Sequence, residues 1–488
     1  MNEQLLETGE SGAGLGLDGV AGLQEILMKG GSPFLNLQKA LEAGYATSPD
    51  TMQGGGAFRI ESLESAITNL IFTEQSTVMA NDLLASKEKA DNTVLQFSTL
   101  DDIGEAYTYE EGGAPAEEDD DYSRKYKLVK YIGAIGVVTN VLLATNNLVS
   151  AREEKIRRKN MAIKRKLDQL AYFGDSSLVS TEFDGLMAEV QNAINSGLGT
   201  SSQIVDLRGK RPMLESFNEG VNAIENVAGS TGNLRLYMSP TSYKNFLSEL
   251  MAQKRFFING RGSQDVDAEI QGLKLNRLVH YGGEAEIRRD MFLNARKFPR
   301  RNTADNAFIA SGDKAPATPT ITSVTPTADA ASLLTAATYD YAVVAVNKYG
   351  HKSVPQETNG ADIVIGSGQK AVFTVVDGGS TSGQEATAFE VYRRDSASTD
   401  PHDYRYLFTA KAGATFADSG QTIPDTDTMF LIEWSKDVLV YKQLLDLTLF
   451  PLATTVDSIR WLQRLYGTLM VKNPRRVVVF KNVGSIPN

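Results

Sequence analysis

The stretch EAYTYEEGGAPAEEDDDYSRKYKLVKYIG, residues 105–133, separates opposite charges along one ribbon of sequence. Seven carboxylates surround a Gly-Gly-Ala-Pro turn, namely Glu110, Glu111, Glu117, Glu118, Asp119, Asp120 and Asp121. Four cations follow directly, namely Arg124, Lys125, Lys127 and Lys130. Strand-like segments flank the turn at TVLQFSTL, residues 93–100, and YKLVKYIGAIGVVTN, residues 126–140. The stretch therefore predicts a long hairpin with an acidic tip and a basic root.

Composition limits the classes of protein that this chain can represent. At 488 residues it exceeds what one hydrophobic core usually serves, so about three domains are expected. Hydrophobic residues make up 42% and charged residues 22%, as in average globular proteins, and no apolar run is long enough to span a membrane. The first sixteen residues lack the pattern of a secretory signal. We therefore expect no membrane partner.

Cysteine is absent from the chain, and the net charge is −11. The first fact excludes disulfides, thiolate metal sites and a cysteine nucleophile, and it fits assembly in a reducing compartment. The second argues against nonspecific wrapping of nucleic acid by the whole surface, although a local basic face remains compatible with it.

Helical signals lie on both sides of the hairpin. Residues 1–56 are rich in Gly, Ser and Thr and predict an extended arm, and a helix is predicted from Ile60. Residues 144–173 contain no Gly or Pro and predict the longest helix, with an apolar stripe at Val149, Ile156, Ile163, Leu167 and Leu170. Between Arg152 and Lys166 this helix carries eight Lys or Arg against two Glu. A solvated face and a partner-binding face are equally compatible with that charge.

The second half of the chain changes character twice. Residues 203–310 mix strand and helix signals and predict a compact α/β domain. A Pro/Thr/Ala linker begins at Lys314, and strands spaced by Gly, Ser and Asp then predict a small all-β sandwich. Mixed character returns after Thr428, so we expect the sandwich to be an insertion into the main fold.

Motifs with chemical meaning are weak. Gly14, Gly16 and Gly19 match GxGxxG, but no strand precedes them, so a flexible arm is favoured over nucleotide binding. The three histidines, His280, His351 and His402, lack metal-ligand spacing. The acidic run from Glu117 to Asp121 lacks the spaced oxygens and glycine of a calcium loop. We expect no catalytic residue, no metal and no cofactor.

The order of several segments resembles the major capsid proteins of tailed bacteriophages, which adopt the Hong Kong 97 fold. The resemblance rests on FRIESLESAITNL (58–70), the charged hairpin from DDIGEAY onward (101–133), GVVTN (136–140) leading into the long helix, and the closing YGTLMVKNPRRVVVFKNV (466–483). It covers residues 57–310 and 429–488.

That resemblance implies an α+β, Hong Kong 97-like capsid fold with an inserted all-β sandwich. The implied parts are an N-terminal arm (1–56), the start of the peripheral domain (57–85), the extended loop (86–132), the peripheral domain with its spine helix (133–202), the axial domain (203–313), the sandwich (314–428) and a return to the axial and peripheral domains (429–488). The sandwich itself resembles immunoglobulin-like or fibronectin type III modules at YDYAVVAVNKYGHKSVPQ (339–356), FEVYRRD (389–395) and YRYLFTAKAGATFADSG (404–420). The segment that resembles the late strands of a fibronectin type III module comes first here, which departs from the usual order. We therefore predict a β-sandwich and do not assign it to either type of module.

The function implied is structural, without enzymatic activity. We expect self-assembly through hexamers and pentamers, or with a related pentamer protein, into an icosahedral head around double-stranded DNA bound without sequence specificity. A decoration protein or host-surface glycans are candidate partners of the sandwich. The implied location is the virion, after assembly in the host bacterial cytoplasm. Two alternatives are a cell-surface or carbohydrate-binding adhesin with a β-sandwich module, and a nucleotide-dependent α/β enzyme.

Contacts between subunits provide the candidate site residues. In the fold that the chain resembles, the extended loop lies across a neighbouring subunit, which brings its acidic tip near basic surface there. The tip residues are Glu110, Glu111, Glu117, Glu118, Asp119, Asp120 and Asp121. The candidate basic residues on the spine helix are Arg152, Lys155, Arg157, Arg158 and Lys159, and packaged DNA is their alternative partner.

Overall fold

The structure is a computed structural model whose chain divides into two compact units, residues 1–68 and 69–488. The structure describes residues 76–102, 104–145, 150–228, 232–253, 268–269, 272–273, 276–280, 283–293, 310, 314–358, 363–395 and 403–486. All of these belong to the second unit. The predicted arm with its glycine pattern, the helix predicted from Ile60, and His402 lie outside the described residues.

The charged stretch forms a two-stranded ribbon. Strand β2 (Val94–Asp102) pairs antiparallel with β3 (Asp121–Leu128), from Val94 opposite Leu128 to Asp102 opposite Asp121. The tip turns at Gly112, whose φ of +83° is the left-handed conformation that glycine adopts without strain. The predicted second arm was too long. The ladder ends at Leu128, and the chain continues into a different sheet because residues 130–139 have partners there.

A four-stranded sheet begins where the ribbon ends. Its order is β1 (Glu88–Lys89), β20 (Leu439–Leu452), β21 (Ser458–Val471) and β4 (Lys130–Thr139). Side chains of β21 alternate between buried and half-buried, which is typical of a strand with one covered face. On the covered face Gly136 lies opposite Trp461, and a Cβ at Gly136 would lie 2.4 Å from the indole Cε2. Only glycine therefore fits beside this buried ring.

The long helix α3 (Ala151–Phe173) covers that sheet. Ser150 caps its N-terminus by accepting a hydrogen bond from the Glu153 N–H, and the amide of Gln463 in β21 donates to the Ile156 carbonyl at 3.1 Å. The predicted stripe is confirmed at Ile163, Leu167 and Leu170, which are all buried. Ile156 is half-buried, and Val149 lies outside the described residues. The helix begins later than residue 144 because a separate short helix, α2 (Asn140–Ala144), precedes it.

A six-stranded sheet forms the second layer. Its order is β5 (Ile204–Asp206), β22 (Val477–Val483), β19 (Asp427–Glu433), β6 (Leu234–Met238), β10 (Gly283–Arg289) and β9 (Arg277–His280). Alternate residues of β19 enter two different cores, with Phe430 and Ile432 in one and Met429 and Leu431 in the other. A strand buried on both faces needs such a continuous apolar run.

Helices cover this sheet, and short elements connect its strands. The remaining elements outside the sandwich are α1 (Val78–Ala85), α4 (Leu186–Asn195), α5 (Leu214–Ala228), α6 (Pro240–Gln253), β7 (Ala268–Glu269), β8 (Gly272–Leu273) and the 3-10 turns Ser201–Gln203, Met291–Leu293 and Pro474–Arg476. The mixed helix and strand character predicted for residues 203–310 is confirmed over their described part. Both sheets combine segments from before and after the β-rich region.

The β-rich region between these segments contains eight strands in two sheets. The strands are β11 (Thr320–Ala328), β12 (Ala337–Asn347), β13 (Gln356–Glu357), β14 (Ile363–Ile365), β15 (Gln369–Val376), β16 (Ala386–Asp395), β17 (Arg405–Lys411) and β18 (Phe416–Asp418). One sheet has the order β11-β15-β18, and the other has β13-β12-β16-β17 with β14 also paired to β12. Tyr341, Phe373 and Phe389 lie in one shared apolar core.

A buried ion pair spans that core. The guanidinium of Arg393 in β16 donates to the Asp418 carboxylate at 2.5 Å, and the Tyr341 hydroxyl donates to the same oxygen at 3.2 Å. The region contacts the rest of the chain through an apolar cluster of Val179, Val346 and Ala388. It is therefore packed against the segment that follows the long helix.

Candidate functional site

The tip of the ribbon is exposed, and two of its carboxylates hold its shape. Glu118 accepts hydrogen bonds from the Tyr107 hydroxyl at 2.7 Å and from the Glu105 N–H at 3.1 Å. The Tyr107 hydroxyl, followed by that N–H, lowers the pKa of Glu118. Asp120 accepts from the Tyr122 hydroxyl at 3.0 Å. The other five tip carboxylates also have exposed side chains; they are Glu110, Glu111, Glu117, Asp119 and Asp121.

The root of the ribbon is fixed to the body of the same chain. The ammonium of Lys127 contacts Asp184 at 3.1 Å and also pairs with Glu189, and the Lys130 ammonium donates to the Ser180 carbonyl at 2.6 Å. Burial opposes the charge of Lys127, but the two carboxylates outweigh burial and raise the pKa of Lys127. Lys127 and Lys130 are thus held by intrachain contacts.

A groove runs beneath the root, between the ribbon and the end of β21. Its two parts have volumes of about 400 and 440 Å³, and both are lined by Phe97, Lys125, Leu198, Lys472 and Pro474. Arg124 and the Lys127–Glu189 pair also line the first part, and Asp437 and Arg475, whose Nε donates to the Leu198 carbonyl, also line the second. The groove therefore combines a half-buried apolar floor with positively charged walls. Sequence reasoning missed it, because residues near 97, 125, 198 and 473 meet only in the folded chain.

The five candidate cations on α3 do not form one uniform patch. Lys155 donates to the Val137 carbonyl at 2.6 Å, and Arg158 pairs with Glu154 at 2.8 Å one turn away. Arg152 and Arg157 are exposed, and Lys159 is half-buried. Within the described chain, no ion pair joins any of these five cations to the tip carboxylates. The two sets of predicted residues are therefore not brought together within one copy.

A pair of buried carboxyls holds the N-terminus of α1. Asp168 of α3 accepts from the Ala80 N–H at 2.8 Å, and Asp290 accepts from the Met79 N–H at 3.3 Å and from the Tyr172 hydroxyl at 3.1 Å. Both carboxyls are fully buried. They satisfy amide groups that a helix start leaves without intrahelical partners.

The pKa values of both carboxyls are raised. Burial and the neighbouring Asp290 raise the pKa of Asp168 to about 9. Burial also raises the pKa of Asp290, against the opposing effect of its hydrogen-bond donors. Asp168 Oδ2 has no donor among the described groups, which fits a protonated oxygen there. Sequence reasoning missed this pair because a charged residue in a basic helix is ordinarily exposed.

The described part of the chain offers neither a metal site nor a membrane-spanning helix. It contains no group of three or more His, Asp or Glu side chains placed to hold a metal ion. No described helix has the length and apolar character needed to cross a membrane.

Comparison with known proteins supplies the family. No protein-family model matches the chain. The major capsid proteins of Staphylococcus phage S25-3 and Staphylococcus phage K are each 22% identical to it over 462 residues, covering 91% of this chain and 94% of each relative. The chain is homologous to phage major capsid proteins. The capsid structure of cyanophage P-SCSP1u covers 91% of the chain, with 9% identity and a TM-score of 0.40.

The homology confirms the resemblance seen in the sequence. The fold is the mixed α+β, Hong Kong 97-like fold, with a protruding ribbon, a long helix over one sheet and a second sheet beside it. These relatives are major capsid proteins, which supports a structural role for this chain. The adhesin and the nucleotide-dependent enzyme are not supported by these relatives.

Proposed function

We propose that the capsid protein assembles with copies of itself into the icosahedral head of a phage, enclosing double-stranded DNA. The observation that carries this proposal is the extent of the homology, which covers 91% of the chain and 94% of a major capsid protein. A subunit that aligns with nearly the whole length of such a relative retains the parts of a shell-building unit. Hexamers and pentamers, or hexamers with a related pentamer protein, are the proposed intermediates.

The ribbon is the proposed contact between neighbouring subunits. It extends away from both apolar cores, so its exposed surface contributes to stability only when another molecule covers it. Many modest interfaces of this kind stabilise a closed assembly. The acidic tip is proposed to meet basic surface on the next copy, and the cations of α3 are one candidate for that surface.

The proposed role involves no catalysis and no cofactor. DNA inside the shell would be contacted without sequence specificity, since a chain with net charge −11 offers phosphate only local basic faces such as that of Arg152 and Arg157. The proposed location is the virion, after assembly in the host bacterial cytoplasm. The absence of cysteine fits folding in that reducing compartment.

The two-sheet region is proposed to be an inserted immunoglobulin-like module, residues 314–428, on the outer face of the shell. Leu293 before it and Phe430 after it lie in the same apolar core, so the flanking segments are close together. Insertions are tolerated at such positions, and an inward projection would compete with DNA for volume. A decoration protein or a host-surface glycan is its proposed partner. Residues 86–132 then form the extended loop, 133–202 the peripheral domain, and 203–313 with part of 429–488 the axial domain.

Electron microscopy of the protein expressed alone tests the assembly proposal. Negatively stained shells, tubes or capsomers are expected, together with fast-sedimenting species in velocity centrifugation. A protein that stays strictly monomeric at every concentration and salt condition would refute self-assembly.

A further inference from the structure

The ribbon carries an acidic segment at one end and a basic groove at the other. The groove cations are Arg124, Lys125, Lys472 and Arg475, and its floor includes Phe97, Leu198 and Pro474. We propose that the acidic tip of one copy binds in the groove at the ribbon root of the next copy. This inference rests on the proposed function and names the surface that the tip contacts.

The tip cannot reach the groove of its own chain. The β2–β3 ladder extends to Asp102 opposite Asp121, with a register shift between Leu100 and Asp102. Beyond it the ribbon stays paired, because the Gly104 N–H donates to Asp120 and the Glu105 N–H to Glu118. A strand advances about 3.3 Å per residue. Asp121 therefore lies roughly 13 Å along the strand from Lys125, and Glu117 lies farther out. A paired ribbon does not fold back on itself, so only another copy can supply the tip.

Charge and shape favour an acidic peptide segment as the occupant. Lys127 is already paired with two carboxylates. Arg124, which lies on the other face of β3, is exposed. The tip presents Glu117 and Asp119 beside the small residues of Gly112–Ala116, which give it a slender outline. Individual exposed pairs are weak, but complementary networks determine register and partner choice.

The arrangement also has a consequence for symmetry. Tip and groove are different surfaces, so the contact is heterologous, and repeated head-to-tail contacts close into a ring when the rotation permits. Some cations of both surfaces contact groups of their own chain, Lys155 and Arg158 on α3 and Arg475 in the groove, so the crosslinking control below distinguishes the two surfaces.

Crosslinking tests the contact directly, because the chain contains no cysteine. Asp119→Cys and Lys472→Cys are placed in two differently tagged full-length chains that are expressed together and treated with a short bismaleimide. At least a tenfold excess of the mixed crosslinked dimer is expected over the control pair Asp119→Cys with Arg157→Cys. Particles that form without the first crosslink overturn the inference and leave the proposed function intact. A protein that never assembles counts against the proposed function instead.

Charge reversal provides an independent test with two matched variants. One carries Glu110→Lys, Glu117→Lys and Asp119→Lys, which leaves the shape-holding Glu118 and Asp120 in place. The other carries the groove changes Arg124→Glu, Lys125→Glu and Lys472→Glu. Each variant alone is expected to lose at least tenfold in assembled material. Mixing the two should restore hexamers, because the two variants can alternate around an even-numbered ring and each tip then meets a groove of opposite charge.

The outcomes separate this contact from other uses of the groove. Unchanged thermal unfolding of both unmixed variants shows that the folds are intact. If the groove variant retained less nucleic acid in its particles but assembled normally, the groove would bind DNA and the inference would fail. If both variants lost assembly and mixing did not restore it, the inference would fail as well.

Discussion

The raised pKa of Asp168 beside Asp290 predicts an unusual dependence of stability on pH. In the folded protein the pKa of Asp168 is raised to about 9, whereas an unfolded aspartate has a pKa of about 3.9. Between these values the folded chain holds one more proton than the unfolded chain does. The free energy of unfolding therefore falls as pH rises, from pH values near 4 until the pH passes the folded pKa.

The change Asp168→Asn removes this dependence and retains the geometry. Its amide oxygen still accepts from the Ala80 N–H, and its NH₂ replaces the O–H as a neutral donor beside Asp290. In the wild-type protein, the contribution of Asp168 to the free energy of unfolding falls by at most about 1.4 kcal/mol per pH unit as pH rises. Between pH 5.5 and 7.5 the Asn variant should therefore gain about 2–3 kcal/mol relative to wild type.

Urea unfolding of the unassembled protein measures this difference. Trp434 packs against the same core as Asp168, so its fluorescence reports on unfolding around the pair. The three histidines are common to both proteins, and their titration cancels in the difference. Equal pH slopes in the two proteins would refute the raised pKa of Asp168.

A matched change at the partner should behave differently. Asp290 accepts from Met79, Tyr172 and Phe292, so Asp290→Asn places an NH₂ group against donors. This change should destabilise the protein by about 1–3 kcal/mol at every pH, because buried donors lose their acceptor. A stabilising effect above pH 7 would mean that the two carboxyls have exchanged roles.

Three further changes test the packing and the inserted region. Gly136→Ala should lower the free energy of unfolding by about 1–3 kcal/mol, because the new methyl group displaces the buried ring of Trp461. Gly133→Ala, on the open face of the same strand, should lower it clearly less. Equal denaturation midpoints for the two variants would contradict this. Arg393→Met should lower the unfolding free energy of the two-sheet region by about 3–5 kcal/mol, since it strands a buried carboxylate in β18, and an unchanged calorimetric transition would count against the pair. Replacing residues 316–427 with a short Gly/Ser bridge should leave particle formation intact in electron micrographs, and a folded but unassembled deletion variant would make the region an assembly element.

Local patterns in the sequence predicted those elements whose own residues indicate which face is buried. The apolar run that became β19 could only be a buried segment, and the helical stripe of Ile163, Leu167 and Leu170 indicated which face of α3 packs. The end of the ribbon at Leu128 could not be predicted, because residues on both sides of it favour strands. Their separation depends on β21, which lies more than three hundred residues later in the chain.

The candidate site was predictable only in part for a similar reason. The acidic tip is continuous in sequence, so its charge and exposure were evident. The groove combines five separate segments, and the carboxyl pair joins α3 to the residue after β10. Neither feature leaves a signal in any one segment, since each residue alone has the composition of an ordinary surface.

The central position of β19 and β22 determines when this protein can fold during its synthesis. These strands lie between β5 and β6, which the ribosome completes much earlier. About 190 residues separate Met238 from Asp427, so at 5–20 residues per second β6 waits on the order of 10–40 seconds for its neighbour. During that interval the two-sheet region, whose strands pair among themselves, can fold completely. The growing chain therefore carries the unpaired apolar edge of β6 on the N-terminal side of the two-sheet region. A chaperone that shields strand edges would contribute most to the yield of subunits during this interval.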